Sequence, residues 1–167
     1  MGLFDKLFGK SETVQLPEIA DDAIIALGNG ELIDVTTVSD AMFAEQVMGK
    51  TAAFKLTDKT VVSPVNGTVE VAFETGHAFA VRMNDGTGIL VHIGIDTVSL
   101  NGKGFKMLVK VGQKVKAGQP MVEVNWSTVN NAGLDASTML IVTEPVEGKE
   151  YNFIDPPTVS DYQQINK

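Results

Sequence analysis

The sequence predicts an all-β fold, a compact antiparallel β-sandwich with one or two short helices, on three observations. Segments rich in Val, Ile and Phe show partial alternation with polar residues. Turns bearing glycine separate them at spacings of roughly ten residues, as in sandwiches and barrels. The 16 glycines fit the number of reversals such a fold needs. With 167 residues and no cysteine, the chain is long enough to bury a core without disulfides.

In chain order, residues 1–18 read as a tail that ends at Pro17, and residues 19–167 as one domain. In "MGLFDKLFGK" the residues Leu3, Phe4, Leu7 and Phe8 recur at helical spacing, with Asp5, Lys6 and Lys10 on the other side. Two readings fit: a short interfacial helix giving peripheral membrane contact through residues 1–10, or a tail without fixed structure. The stretch lacks the apolar centre and cleavage site of a signal peptide, and Lys6 stands where a myristoylation signal wants Ser or Thr. Next comes "SDAMFAEQVMG", a helix that Ser39 or Asp40 can cap, with Phe43 and Val47 at helical spacing and Gly49 as a stop. Strands follow in "GTVEVAFE", "FAVRM", "KMLVKV" and "PMVEVNW", separated by "VNG", "NDGTG", "NGKG" and "KAGQ". "STVNNAGLDAS" is a second helix candidate, with Ser127 as its cap. "NGELIDV" at residue 29 is weakly echoed by "NGTVEV" at residue 66, either an old duplication or shared turn chemistry.

Composition excludes several functions. The net charge of -8 and pI of about 4.7 argue against nucleic acid, which needs clustered Lys and Arg. The longest apolar run lies in "GILVHIGIDTV" and has roughly eight residues, far below the ~20 that span a bilayer. Absence of cysteine suits a reducing compartment, so a cytoplasmic location is expected.

That same run carries His92, and the only other histidine is His77 in "ETGHAFAV". An antiparallel hairpin through "NDGTG" would set partners of His92 near residue 80, with His77 slightly diagonal, so both rings can share a face. Beside a structural role, three chemistries fit an imidazole pair. One is phosphoryl acceptance, since a neutral imidazole nitrogen is a good nucleophile and a second ring can steady the phosphoryl oxygens. The others are a zinc site completed by an Asp or Glu and general acid–base catalysis. Thr75 lies two residues before His77 on the same strand face, within reach of a ring nitrogen or a phosphoryl oxygen, or is an ordinary strand threonine. Asp96 caps a turn towards Asn101 or faces a cationic partner.

At these residues the chain resembles a known family. "GTGILVHIGIDTVSL" is similar to the phosphorylation-site signature of the glucose-type IIA components of the bacterial sugar phosphotransferase system. "MFAEQVMG", "SPVNGTV", "FETGHAFAV", "GKGFKMLVKVGQKVKAGQ" and the "MGLFDKL" start resemble family segments in the same order. The resemblance implies a duplicated, barrel-sandwich type of β fold with its site in a shallow depression. It implies that His92 accepts a phosphoryl group from the phosphocarrier protein HPr and passes it to a cysteine of a sugar-specific IIB domain. His77 would stabilise that group, and Thr75 would bond within the site. Met42, Phe43, Val47, Met48, Phe73, Phe79, Leu90 and Val98 would form the apolar docking surface, and Asp40 and Asp96 would meet arginine on HPr. Such an apolar ring makes physical sense, because docking then dries the transfer. The family needs no cofactor, but some members regulate a permease or kinase, some of these with zinc shared by the two histidines, here His77 and His92.

Three features depart from the family pattern: Leu27 where a proline is usual, Glu144 near a common Asn, and the tail after Tyr151, which leaves the last sandwich edge undefined. A zinc-dependent hydrolase of related β-core is the rival reading, although its H-x-H pair is absent. A biotinyl or lipoyl carrier is suggested by "VKVGQKVKAGQPMVEV", without the central lysine motif.

Overall fold

The computed structural model describes residues 16–155 and 157–167. The amphipathic stripe of the tail, and the membrane contact expected of it, lie outside the described residues. In chain order the strands are β1 (Gly30–Ile33), β2 (Lys50–Leu56), β3 (Thr60–Val62), β4 (Gly67–Ala72), β5 (Ala78–Met83), β6 (Gly88–Ile93), β7 (Phe105–Met107), β8 (Lys114–Val115), β9 (Pro120–Val124), β10 (Thr138–Glu144) and β11 (Thr158–Val159). An eight-stranded sheet runs β11-β1-β2-β10-β6-β5-β4-β8, and a three-stranded sheet runs β3-β9-β7. Every pairing is antiparallel. The larger sheet does not close on itself, since β11 and β8 stand at its two ends.

Alternation along the strands decides which face is core. In β6, Ile89, Val91 and Ile93 are buried, whereas Leu90 and His92 between them are half-buried on the opposite face. The first set joins Phe54, Phe79, Val81 and Leu140 in the main core. The second face is covered by a smaller cluster of Val38, Phe43, Ala53, Ile95, Met139 and Ile141, with Leu90 packed against it. His92 lies on this covered face, opposite Met139 across β10 and Ala78 across β5.

The helices are shorter than the sequence suggests. α1 (Ala41–Ala44) is a single turn capped by Asp40, whose carboxylate accepts from Met42 N at 2.8 Å. It stops because Gln46 takes a left-handed φ of 55°, while its side-chain Oε1 accepts from Thr51 N. α2 (Trp126–Asn131) is capped by Asn125 rather than Ser127, with Trp126 Nε1 donating to Asp58 O at 2.7 Å. "KMLVKV" is strand only to Met107, because the chain reverses where Gln113 N donates to Lys110 O.

The echo between "NGELIDV" and "NGTVEV" has a physical basis. A Cβ on Gly30 would meet Lys55 O at 2.2 Å, and one on Gly67 would meet Arg82 O at 2.1 Å. Each strand thus begins with a glycine pressed against its neighbour's backbone. Gly30 then pairs with Val159 and Gly67 with Val115 in the same antiparallel sense. Asn29 Oδ1 accepts from Asp161 N and Asn66 Oδ1 from Ala117 N, both at 2.8 Å. The turns so held, "KAGQ" and "SDYQ", each close with a Gln side chain accepting the first residue's N–H. Tyr162 occupies the left-handed position of Gly118, at φ 65°, and a Cβ on Gly118 would press on its ring. The tail after Tyr151 is therefore the second copy of the sandwich edge. It is fastened by fully buried Ile165 and by Asn166, whose side chain accepts from Ile24 N and donates to Asp22 O. The other departures are also accommodated: Leu27 is fully buried, and Glu144 Oε1 accepts from Arg82 Nη1 at 2.7 Å.

Candidate functional site

The two imidazoles meet edge to face, with centroids 5.3 Å apart and planes at 78°. Register explains the meeting. Ala78 is the cross-strand partner of His92, and Ile93 N donates to His77 O at 2.7 Å, so His77 sits one step from direct opposition at the mouth of β5. Phe43 lies 5.0 Å from His92 and Phe73 lies 5.1 Å from His77, so an aromatic ring flanks each histidine.

Hydrogen bonds then distinguish the nitrogens. His92 Nδ1 is 2.8 Å from Gly94 O, and a carbonyl only accepts, so Nδ1 carries the proton and Nε2 the lone pair. His77 Nδ1 is 2.6 Å from Thr75 Oγ1, a hydroxyl that either donates or accepts. When the hydroxyl donates, His77 Nε2 bears a proton and becomes a donor. Among the described residues neither Nε2 has a hydrogen-bond partner, so the free edge of each ring is open to chemistry.

Both rings protonate below the ordinary histidine range. Burial is the main cause in each; the charge on His92 adds to it for His77. For His92 the Gly94 carbonyl and the charges of Asp40 and Asp96 oppose the effect without overcoming it. The rings are therefore neutral near pH 7. In the unfolded chain they bind protons near pH ~6.5, while the folded chain binds them only at lower pH. The unfolded state holds more protons in that interval, so this part of the stability is complete above pH ~6.5 and declines as pH falls below it. The denaturant midpoint should therefore be level from neutral to mildly alkaline pH and fall on the acid side, less steeply in His77→Gln.

The loop after β6 was legible as "H-x-G", but what its glycine does was not. Gly94 has φ 75°, and a Cβ there would lie 2.5 Å from Thr97 Cγ2, which leaves no room for a side chain. Buried Thr97 donates its hydroxyl to Ile93 O, bracing the loop from within. Gly94→Ala is thus expected to lose ~1–3 kcal/mol of stability through strain and contact. It should also slow any reaction at His92 Nε2 by releasing Nδ1; chemical denaturation and a pH titration of the ring by NMR read the two effects separately.

Five exposed apolar residues fall on the segments that frame the rings. Val47 is 63 % exposed, Met42 54 %, Val98 52 %, Phe73 46 % and Met48 37 %. Leu90 is half-buried beside His92 on the same face of β6. Two residues expected on this surface are placed otherwise. Phe79 is fully buried, because its position in β5 faces the main core, so it cannot touch a partner. Phe43 is only 8 % exposed, its ring turned into the smaller cluster and against His92. Asp40 caps α1 through Oδ1 alone, and Asp96, at φ 60° ahead of the 3₁₀ turn Thr97–Leu100, makes no side-chain cap bond. Among the described residues no group of three or more His, Cys, Asp or Glu could hold a metal, so the three protein ligands of a hydrolytic zinc are not assembled. No helix among them is long and apolar enough to cross a membrane.

Comparison with known proteins gives consistent matches. The family model described as phosphoenolpyruvate-dependent sugar phosphotransferase system, EIIA 1, matches residues 22–147. A glucose-specific EIIA component of the phosphotransferase system from Staphylococcus aureus (strain COL) is 37 % identical over 157 residues, spanning 94 % of this chain and 92 % of that protein. The Haemophilus influenzae protein of the same description is 34 % identical over 143 residues, 86 % of this chain and 84 % of that one. Among solved structures, the glucose permease IIA from Mycoplasma capricolum superimposes with a TM-score of 0.82 at 31 % identity, covering 86 % of this chain and 93 % of that one.

Proposed function

The chain belongs to the EIIA 1 family of the phosphoenolpyruvate-dependent sugar phosphotransferase system, and from that membership we propose that His92 Nε2 is its phosphoryl acceptor, filled by phospho-HPr and emptied by a cysteine of a sugar-specific IIB domain in the cytoplasm. The observation that carries this reading is the tautomer of His92: with Nδ1–H held by Gly94 O, the one nucleophilic lone pair lies on Nε2.

In the forward step that lone pair attacks phosphorus, the donor's N–P bond breaks, and the donor imidazole leaves with the electron pair. The positive charge on the phosphorylated ring is eased by the Gly94 carbonyl, and the Asp40 and Asp96 charges act in the same direction. His77, with Thr75 donating to its Nδ1, offers Nε2–H to a phosphoryl oxygen and stabilises the charge spread over the transferring group. In the next step the thiolate sulfur of the IIB cysteine attacks phosphorus, and the N–P electrons return to Nε2. Met42, Val47, Met48, Phe73 and Val98 supply adaptable apolar contact that expels water when either partner docks, so the phosphoryl group is not lost to hydrolysis. Asp40 and Asp96 lie on the same loops and suit a cationic partner surface.

Regulation of a permease or kinase would use the same face. The two unpartnered Nε2 atoms also suit a regulatory zinc held by His77 and His92 with a carboxylate from the partner, since Thr75 Oγ1 can accept from His77 Nδ1–H and so free that Nε2. There the ion would act as a bridge between the two proteins. The direct test incubates the chain with phosphoenolpyruvate, enzyme I and HPr. One acid-labile phosphate per chain is expected, and its absence would refute the assignment.

A further inference from the structure

Between Asp96 and Glu123 the chain has no acidic residue, yet it carries Lys103, Lys106, Lys110, Lys114 and Lys116 within a protein of net charge -8. The apolar residues of this stretch divide sharply. Val109, Val115 and Ala117 are buried, whereas Leu108 is 36 % exposed and Val111 64 %. Lys106, Leu108 and Lys110 alternate with the more buried Met107 and Val109, so they project outwards together, and Lys114 and Lys116 flank buried Val115 in the same manner. Between the two runs Gln113 N donates to Lys110 O and Gly112 takes φ 92°, which puts Val111 at the tip of a tight turn.

The charge at that tip is not used internally. Among the described residues, ion pairs engage Lys55, Arg82 and Lys149, and none of the lysines of this stretch. Two acids stand near its ends. Glu123 is the cross-strand partner of Lys106, and Asp21, held low first by hydrogen bonds from Asn66 and Asn84, is lowered further by Lys116. Lys110 and Lys114, on either side of Val111, are left as the uncompensated pair.

We infer that this turn is a docking element for an anionic membrane surface, with Val111 and Leu108 entering the headgroup layer while Lys110 and Lys114 bind lipid phosphates. A protein partner fits less well, because protein interfaces are enriched in aromatic residues and arginine and depleted in lysine, and the tip offers lysine and aliphatic groups alone. The acidic remainder of the chain is repelled by such a membrane, which fixes the orientation. β7 begins beside the His77 loop, since a Cβ on Gly76 would lie 2.6 Å from Phe105 Cβ. At the far end of the run Gly112 N donates to Val69 O, and Val69 pairs with Val81, four residues (about 13 Å of strand) from His77, so a docked tip leaves the imidazole face open to protein partners.

The test uses the full chain and vesicles of phosphatidylglycerol mixed with phosphatidylcholine, or of phosphatidylcholine alone. Binding to the anionic vesicles only is expected. In Lys110→Gln/Lys114→Gln it should weaken roughly thirtyfold, at about fivefold per lysine, and Val111→Ser should weaken it further. Leu3→Ser/Phe4→Ser/Leu7→Ser/Phe8→Ser, which removes the apolar stripe of the tail, should leave the lysine dependence in place. Because the chain has no cysteine, Val111→Cys takes a single environment-sensitive fluorophore, whose emission should shift to the blue on anionic vesicles. Equal binding to both vesicle types, no binding, indifference to the lysine substitutions, or a probe that stays in water would overturn the inference. Phosphoryl acceptance at His92 is measured in parallel and should be unchanged in these variants, so its failure would bear on the transfer reading alone.

Discussion

His92→Gln should take up no phosphate from phospho-HPr while keeping the fold. Glutamine matches the imidazole in reach and polarity, yet its amide nitrogen has no basic lone pair, so the N–P bond has nowhere to form. The rest of the site should tolerate the change, because the ring is only half-buried and makes one hydrogen bond, to Gly94 O. Labelling should therefore fall to background, a loss of at least ~10³-fold in rate, with little change in denaturation midpoint. Undiminished labelling would move the acceptor to another residue.

The second large effect concerns His77→Gln, where acceptance should survive and onward transfer should fail. His77 is 6 % exposed and touches His92 edge to face, so it is placed to hold a group already on His92 rather than to receive one. Removing one preorganised donor to a developing charge typically slows a transfer by ~10²–10³-fold. The expected result is a long-lived phosphorylated chain that a IIB domain cannot discharge at the normal rate. A Thr75→Val chain, with Nδ1 of His77 no longer tied to a hydroxyl, should show the same defect more mildly. Equal loss of both half-reactions in His77→Gln would mean that the ring serves only to place His92.

Much of this was visible in the sequence. Alternation and glycine spacing gave the antiparallel strands because each strand has one face in the core and one facing out, and "GILVHI" shows how: the imidazole occupies an outward position in a run whose inward residues are fully apolar. The hairpin sum brought His77 and His92 into one neighbourhood but set the partner of His92 near residue 80, whereas the observed register pairs it with Ala78 and so draws His77 two residues closer. What stayed hidden depended on packing at a distance. Phe79 and Phe73 look alike in "FETGHAFAV", yet one is fully buried and the other 46 % exposed, because Phe79 lies in β5 on the face turned to the main core while Phe73 lies past the end of β4, in the turn before His77. Likewise Phe43 was expected at the surface, but the smaller cluster over β10 claims its ring. The tail after Tyr151 carried no strand signal of its own, since β11 has two residues and is ordered by pairing with β1 and by Asn29, partners far away in the chain.

Everything in the transfer mechanism depends on which nitrogen of His92 is free, and ¹⁵N-edited NMR of the uniformly labelled chain, before and after treatment with phospho-HPr, reads that directly. The expected spectrum shows a neutral ring with its proton on Nδ1 beforehand and phosphorus bonded to Nε2 afterwards, Nδ1–H still in place against the Gly94 carbonyl. Phosphorus on Nδ1, or on His77, would contradict it.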